Sequence, residues 1–182
     1  MNKRVLYAAS TASHLKNFHL EIISGLRSRG YTVLTMARGG GVDYDLPFEK
    51  RIFSLKNLML VKRVRQILKK ERFDALILNT TLASVILRAA LPKRLKKTTK
   101  VINFVHGYLF SGKIRTLRSF LFWLPECLLR KKTDAVITMN GEDEKNAKRY
   151  YNKALNLGYD AEVLDGEIEF YREMYEENKD EN

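Results

Sequence analysis

Short apolar segments that alternate with longer segments of helical periodicity constrain the fold of this chain more than any other feature. Residues 3–9 form a short, mostly apolar run of the kind found in buried parallel strands. In residues 14–29, Phe18, Ile22 and Leu26 recur every four residues, as they would on one face of a helix. This alternation predicts an α/β fold built from βαβ units, with a parallel sheet and right-handed crossovers.

The same alternation continues along most of the chain. Further strands are predicted at residues 31–37, 51–54, 74–78, 100–105 and 135–138. Further helices are predicted at residues 58–71, 82–91, 114–130 and 141–151. We therefore expect a Rossmann-like parallel sheet with helices on both faces, in one domain over residues 1–155. Residues 156–182 are expected to form a diverged acidic tail that is helical or partly disordered.

The cysteine count and the apolar runs limit the cellular compartments in which we expect this protein. The single cysteine, Cys127, excludes an internal disulfide and a cysteine cluster for metal binding, and it favours a reducing compartment. The apolar run at residues 5–9 is too short for a signal peptide, and the run at 120–125 is too short to span a bilayer. We expect a cytoplasmic protein that meets a membrane only from its inner face.

Charge is distributed unevenly along the chain, although the net charge is +12. Residues 133–182 carry 14 acidic and 6 basic side chains, whereas residues 1–132 carry 27 basic and 7 acidic ones. A basic body indicates polyanionic partners such as anionic lipid, phosphorylated substrates or nucleic acid, or else only a solvated surface. No nucleic-acid-binding motif accompanies the charge, so no specific nucleic-acid partner is expected.

Polar loops follow several predicted strands at the sheet edge where open parallel sheets bind ligands. The candidate site residues in these loops are Ser13, His14, Asn79, Thr80, His106, Gly107 and Tyr108. His106 ends a buried strand, where a histidine can act as a general base or hydrogen-bond donor near neutral pH, or can be capped by a neighbouring loop. Both interpretations of His106 remain open from the residues alone.

The loop after the first strand lacks a dinucleotide-binding glycine pattern. Ser13 is a candidate N-cap for the helix that follows. His14 and His19 are five residues apart, so in one continuous helix they would lie on different faces and form no metal-binding pair. We therefore expect His19 to be structural and the chain to bind no metal. The glycine run at residues 39–41 is either a phosphate-binding loop or a flexible one.

The predicted helix at residues 114–130 combines an apolar and aromatic centre with basic ends. This composition is typical of an amphipathic helix at a membrane interface, and it also suits a helix packed on the sheet. The second interpretation is favoured.

Read together, these segments resemble the bacterial glycosyltransferases of family four, which have the GT-B fold, and especially those that build capsular and exopolysaccharides. The resemblance covers about residues 3–150 and is carried by residues 5–14, 18–19, 30–33, 53–57, 105–110, 133–140 and 142–143. The more specific parts are the His-Gly-Tyr element at 106–108 and the Thr-Asp, Asn and Glu-Asp residues within 133–143.

The resemblance implies a GT-B N-terminal domain, which mainly binds the acceptor, often a lipid-linked sugar at the cytoplasmic membrane face. His106 would then contact the transferred sugar or assist the acceptor, and residues 10–14 would lie near the donor diphosphate. No cofactor is implied, because the nucleotide-sugar donor is a substrate that a second domain mainly binds. The implied partners are a donor-binding glycosyltransferase subunit, a lipid-linked sugar acceptor and an anionic membrane surface.

Two departures from the family pattern keep an alternative open. Asn79, Thr80 and Thr81 stand where the family usually has a histidine, and no second Rossmann domain follows in the sequence. We expect a hexosyltransferase domain that is truncated or needs a donor-binding partner and is incomplete as a catalyst alone. The alternative is a non-catalytic membrane-surface or regulatory binding module derived from such a domain.

Overall fold

A parallel sheet with helices on both faces forms the body of the molecule, as the alternating segments predict. The structure, a computed structural model, describes residues 3–50, 54–108, 116–151 and 154–156. The strands are β1 (Arg4–Thr11), β2 (Thr32–Arg38), β3 (Tyr44–Asp45), β4 (Ala75–Leu78), β5 (Lys100–Val105), β6 (Ala135–Thr138) and β7 (Ala154–Asn156). The helices are α1 (Ala12–Phe18), α2 (Leu20–Ser28), α3 (Leu55–Glu71), α4 (Thr81–Ala90), α5 (Lys93–Lys96), α6 (Leu117–Leu129) and α7 (Gly141–Ala147).

The strands lie in the order β3-β2-β1-β4-β5-β6-β7, and every neighbouring pair is parallel. The direction of winding reverses at β1, because β2 and β3 lie on one side of it and β4 to β7 lie on the other. Ala8, for example, is in register with Met36 of β2 and with Leu78 of β4. This reversal opens a crevice at the carboxyl ends of β1 and β4, where sheets of this kind bind ligands.

Two apolar layers sandwich the sheet, because successive side chains of a strand point to opposite faces. Val5 and Tyr7 of β1 pack in one layer with Leu26 of α2, whereas Leu6 of β1 packs in the other layer with Val64 of α3. Helices α1 and α2 thus cover one face, and α3 and α4 cover the other. The fold-class prediction is therefore confirmed.

Several predicted boundaries differ from those of the structure. The helix predicted at 14–29 is interrupted at His19, which separates α1 from α2. Of the strand predicted at 51–54, residues 51–53 lie outside the described residues, and Ser54 is the N-cap of α3. Strands β3 and β7 were not predicted. The acidic tail from residue 157 onwards also lies outside the described residues.

A buried ion pair joins α4 to α6. Arg88 is fully buried, and its guanidinium donates to both carboxylate oxygens of Glu126, at 3.1 and 2.5 Å. The Tyr151 hydroxyl donates to the same carboxylate and accepts a hydrogen bond from Arg88 at 3.1 Å. Burial opposes ionisation of Glu126, but the adjacent Arg88 outweighs it and lowers the pKa of the carboxyl group. The pair therefore stays ionised inside the protein.

Substitution Arg88→Met should lower the free energy of unfolding by about 3–5 kcal/mol, because it leaves the Glu126 carboxylate buried without its cation. Adding Glu126→Leu should recover much of this loss, since an apolar pair removes the uncompensated charge. Urea unfolding followed by circular dichroism would measure both effects. Lys56→Ala, which removes an exposed ion pair with Glu49, is the matched control and should cost less than about 1 kcal/mol. A similar loss in both single variants would contradict this account.

Candidate functional site

A cavity of about 170 Å³ lies in the crevice at the carboxyl ends of β1, β4 and β5. The polar loops after these strands line it. Six of the seven predicted site residues lie there: His14, Asn79, Thr80, His106, Gly107 and Tyr108. Ser13 is not among them. The structure thus brings together residues more than 90 positions apart in the sequence, as the arrangement of a parallel sheet predicts.

The break at His19 places two histidines side by side. His19 has φ −132° and ψ 3°, so it closes α1 and opens α2 in a new direction. As a result the Nε2 atoms of His19 and His14 are 3.3 Å apart. The expectation that these histidines lie on different faces was wrong, because it assumed one continuous helix.

His19 is held from behind by the first strand. It is only 3% exposed, and its Nδ1 forms a hydrogen bond of 3.1 Å with the hydroxyl of Tyr7. The ring of His14 also bonds the main chain of Asn79. Both imidazoles are therefore fixed by neighbours in the sheet, whereas His106 at the end of β5 keeps a solvent-exposed edge.

The three histidines are held in the neutral form. Burial lowers the pKa of His19 to about 3, with a further contribution from the charges of His106 and His14. Desolvation and the nearby His14 lower the pKa of His106 to about 4, and burial also lowers the pKa of His14. At neutral pH each ring therefore has one nitrogen that can accept a hydrogen bond or bind a cation.

Two buried asparagines that line the cavity have side-chain carbonyl oxygens without a hydrogen-bond partner among the described residues. Asn79 and Asn103 are 0% and 2% exposed, and neither Oδ1 has a hydrogen-bond partner among the residues that the structure describes. The amide group of Asn79 donates to the backbone oxygen of Ala8 at 3.2 Å, which fixes the orientation of the side chain. A buried acceptor without a partner carries a desolvation cost, which a bound hydroxyl group or water would remove.

The other cavity residues shape the backbone at the strand ends. Thr80 caps α4, and its hydroxyl oxygen accepts a hydrogen bond of 3.0 Å from the backbone of Ser10, so it joins two rim loops. Gly107 has φ +132°, a conformation that residues with a side chain rarely adopt. The backbone nitrogen of Tyr108 donates to the carboxylate of Asp143 at 2.9 Å. These contacts tie the end of β4 to the end of β1, and the end of β5 to α7.

Two buried polar residues that line the cavity were not predicted from the sequence, Asn103 and Glu126. Glu126 had a detectable signal, since a lone acidic residue within an apolar helical segment must be paired if it is buried. Arg88 is likewise a lone charged residue, within the apolar segment 82–91, so the same signal could have identified it as the partner of Glu126. Asn103 interrupts the apolar strand β5 and could have been found in the same way.

Ser13 lies in a different place from the other predicted residues. It lines an open groove of about 1020 Å³ together with Arg38 and the glycines at 39–41. It does not cap the helix, because Thr11 is the N-cap of α1 and Ser13 donates to the Thr11 hydroxyl at 3.3 Å. The expectation that Ser13 is the N-cap was therefore wrong, and its side chain is exposed beside the glycine loop.

Comparison with known proteins identifies the family of this domain. Residues 4–140, most of the chain, match the family described as Glycosyl transferase 4-like. The chain belongs to this family. It is 28% identical over 155 residues to the Bacillus subtilis (strain 168) protein named "Putative glycosyltransferase EpsD", a match that covers 81% of this chain and 40% of that protein. The chain thus spans about two fifths of the length of this relative.

Solved structures confirm the fold independently. The UDP-N-acetylglucosamine 2-epimerase of Rickettsia bellii matches 91% of this chain and 47% of its own, with a TM-score of 0.66 and 17% identity. The sucrose-phosphate synthase of Thermosynechococcus elongatus matches 95% of this chain and 99% of the solved one, with a TM-score of 0.63 and 11% identity. At these identities the likeness shows the fold alone, which is one Rossmann-like half of a GT-B structure.

No helix in the described part of the chain is both long and apolar enough to cross a membrane.

The free energy of unfolding should fall as the pH drops below about 6.5. Between that value and about 3, His19 takes up a proton in the unfolded state but not in the folded state, so acid favours unfolding; above 6.5 this contribution is complete. In His19→Gln, the slope of the free energy of unfolding against pH should be smaller in this window, by the equivalent of up to about one bound proton. Urea unfolding at a series of pH values, with a chelator present, measures the slope. Equal slopes in both proteins would refute the buried neutral state of His19.

Proposed function

We propose that this chain is the acceptor-binding domain of a nucleotide-sugar-dependent glycosyltransferase of bacterial surface polysaccharide synthesis, and that a donor-binding domain or subunit completes the catalyst. The observation that carries the proposal is the cavity at the winding reversal of a Glycosyl transferase 4-like domain. It presents polar groups suited to sugar hydroxyls at the edge where sheets of this type bind ligands. The exopolysaccharide role rests on the name of the Bacillus relative.

The cavity offers acceptors for the hydroxyl groups of a sugar. The Oδ1 atoms of Asn79 and Asn103 are buried and lack partners among the described residues, so each can accept a hydrogen bond from a hydroxyl group. Gly107 has no side chain, so a ligand could approach the backbone closely there, and its positive φ disfavours any residue with a Cβ atom. A carbohydrate would thus satisfy polar atoms that are costly to leave buried.

His106 is the candidate catalytic residue, because it lies at the mouth of the cavity with an exposed edge. Its lowered pKa keeps the ring neutral, so a ring nitrogen can accept a hydrogen bond from an acceptor hydroxyl. A pKa near 4 makes the resting imidazole a weak base. A donor diphosphate bound nearby would favour the protonated form and raise this pKa. The arrangement therefore favours proton transfer only when both substrates are in place.

The groove beside Ser13 is the proposed position of the donor diphosphate on this domain. The backbone of the glycine loop is accessible, and Arg38 and Lys16 line the same groove. A Cβ atom at Gly39 would lie 3.4 Å from the Cβ of Ala12, so the loop packs closely on the start of α1. Most contacts to the nucleotide-sugar are assigned to the partner domain, and no cofactor is required.

Transfer activity should require both this chain and a donor-binding partner. The assay combines the chain, a candidate partner, membranes with lipid-linked acceptors and a panel of nucleotide-sugars. His106→Ala should reduce transfer at least about a hundredfold, the lower range of what a general acid–base group contributes. Lys148→Ala, an exposed change away from the cavity, should leave it unaltered. Activity from the chain alone would refute the requirement for a partner. Absence of activity in every combination would favour the non-catalytic binding module.

The first turns of α3 form the proposed membrane-docking surface. Leu55, Leu58 and Met59 are 78%, 68% and 66% exposed, and the exposed side chains of Lys56 and Lys62 flank them. An amphipathic surface of apolar and basic side chains binds anionic lipid, and residues 1–132 carry a large positive charge.

This surface lies at the same edge of the sheet as the cavity. The far end of α3 lies at the opposite edge, because Glu71 pairs with Arg4 at the start of β1, at 2.7 Å. The helix has 17 residues and is therefore about 25 Å long, so Leu55 lies near the carboxyl ends of the strands. A protein docked through this surface would hold its cavity close to a lipid-linked acceptor.

The chain should bind vesicles that contain anionic phospholipid, and binding should weaken at high salt because exposed charges are screened. Substitution of Leu55, Leu58 and Met59 by serine should abolish most of the binding in a flotation assay. Leu128→Ser, which removes a similarly exposed leucine near the C-terminal end of α6, is the control and should bind normally. Equal binding to neutral vesicles, or an unaffected triple variant, would exclude this surface.

A further inference from the structure

All of the histidines in this chain meet at one point. The sequence contains three, His14, His19 and His106, and one ring nitrogen of each lies within 4.8 Å of the others. They come from three structural positions: the first turn of α1, the break between α1 and α2, and the end of β5. Nothing in the proposed sugar transfer requires the buried His19, which is only 3% exposed.

The spacing of the rings is that of a metal centre. An ion bound tetrahedrally by imidazoles at about 2.0–2.1 Å holds two ligand nitrogens about 3.3 Å apart and two ring centres about 5.2 Å apart. The Nε2 atoms of His14 and His19 are separated by 3.3 Å. The three distances between ring centres are 5.0, 5.2 and 5.4 Å. A ring nitrogen of His106 lies within 4.8 Å of the ligand nitrogens of the other two histidines.

The two inner histidines already have the supporting contacts that metal ligands usually have. A ligating histidine typically donates its second N–H to a hydroxyl, a carbonyl or a carboxylate, and this fixes the ring and its tautomer. The Nδ1 of His19 bonds the Tyr7 hydroxyl at 3.1 Å, which leaves Nε2 facing His14. The ring of His14 bonds the main chain of Asn79.

The ligand set selects the kind of ion. Three imidazole nitrogens, with no carboxylate or thiolate in the cluster among the described residues, suit zinc, cobalt, nickel or copper and not magnesium or calcium. Three protein ligands leave one coordination position for water or substrate in a tetrahedral site. Because His14 and His106 also line the cavity, that position would face Asn79 and Asn103.

We propose that His14, His19 and His106 bind one divalent transition-metal ion of the zinc class, with an open coordination position directed into the cavity. The sequence-based expectation of no metal is replaced here, because it assumed that His14 and His19 lie on different helix faces. A bound ion would occupy a ring nitrogen of His106, so metal loading and proton transfer by His106 exclude one another.

Cobalt(II) is the probe, since its visible absorption is intense only in tetrahedral or similar sites. The tag-free full chain, first treated with a chelator, is titrated with CoCl₂ alone, without sugar donor, acceptor or partner. We expect a visible band that saturates at one equivalent and is displaced by one equivalent of zinc. His19→Gln, which keeps a polar partner for Tyr7, and His106→Gln should each weaken binding at least about tenfold, because loss of even an outer-shell partner of a ligand costs about 10–100-fold in affinity.

Cys127→Ser is the matched control, because it removes the only thiol in the chain and should leave the band unchanged. Circular dichroism tests whether the variants are folded. If His19→Gln unfolds, the titration of His106→Gln, at the more exposed position, decides the test alone. No tetrahedral band in the wild-type chain, or a band that persists in His106→Gln, would overturn the proposal. The titration contains no sugar substrate, so its result is independent of whether the chain takes part in glycosyl transfer.

Discussion

The reversal of winding at β1 determines where chemistry can occur in this domain. Because β1 pairs with β2 on one side and β4 on the other, the chain leaves the two central strands towards opposite faces. Neither of the segments that follow β1 and β4 fills the resulting crevice. His14, Asn79, Asn103 and His106 border this crevice, at the edge of the sheet where the parallel strands end.

Much of this arrangement could be predicted from the sequence. The strands were recognisable as short apolar runs, and the sheet type followed from their alternation with helices. Once the sheet is parallel, residues after β1, β4 and β5 must share an edge, so His14, Asn79 and His106 were placed together without knowledge of any distance. The same reasoning gave the wrong position for Ser13, because neighbouring residues on one helical turn point in different directions. Its side chain lines the groove of the glycine loop.

The break between α1 and α2 at His19 could not be predicted from the sequence in this way. Phe18, Ile22 and Leu26 keep the four-residue spacing of a continuous helix, and nothing in the local sequence is a helix breaker. The interruption accompanies a tertiary contact, the hydrogen bond between His19 and Tyr7, that no local pattern encodes. Phe18 is consequently 55% exposed although the periodicity places it with the core residues. The juxtaposition of the three histidines follows directly from this local departure.

The buried contact of Arg88 with Glu126 and Tyr151 links parts of the molecule that would otherwise open separately. It connects α4, α6 and the segment that leads into β7, at sequence separations of 38 and 63 residues. Local openings of a protein occur in cooperative units, and a shared buried charge forces its contributors into one unit. Glu126 also lines the cavity, so we expect the amide protons of β6 and β7 to exchange at a rate that depends on what the cavity contains.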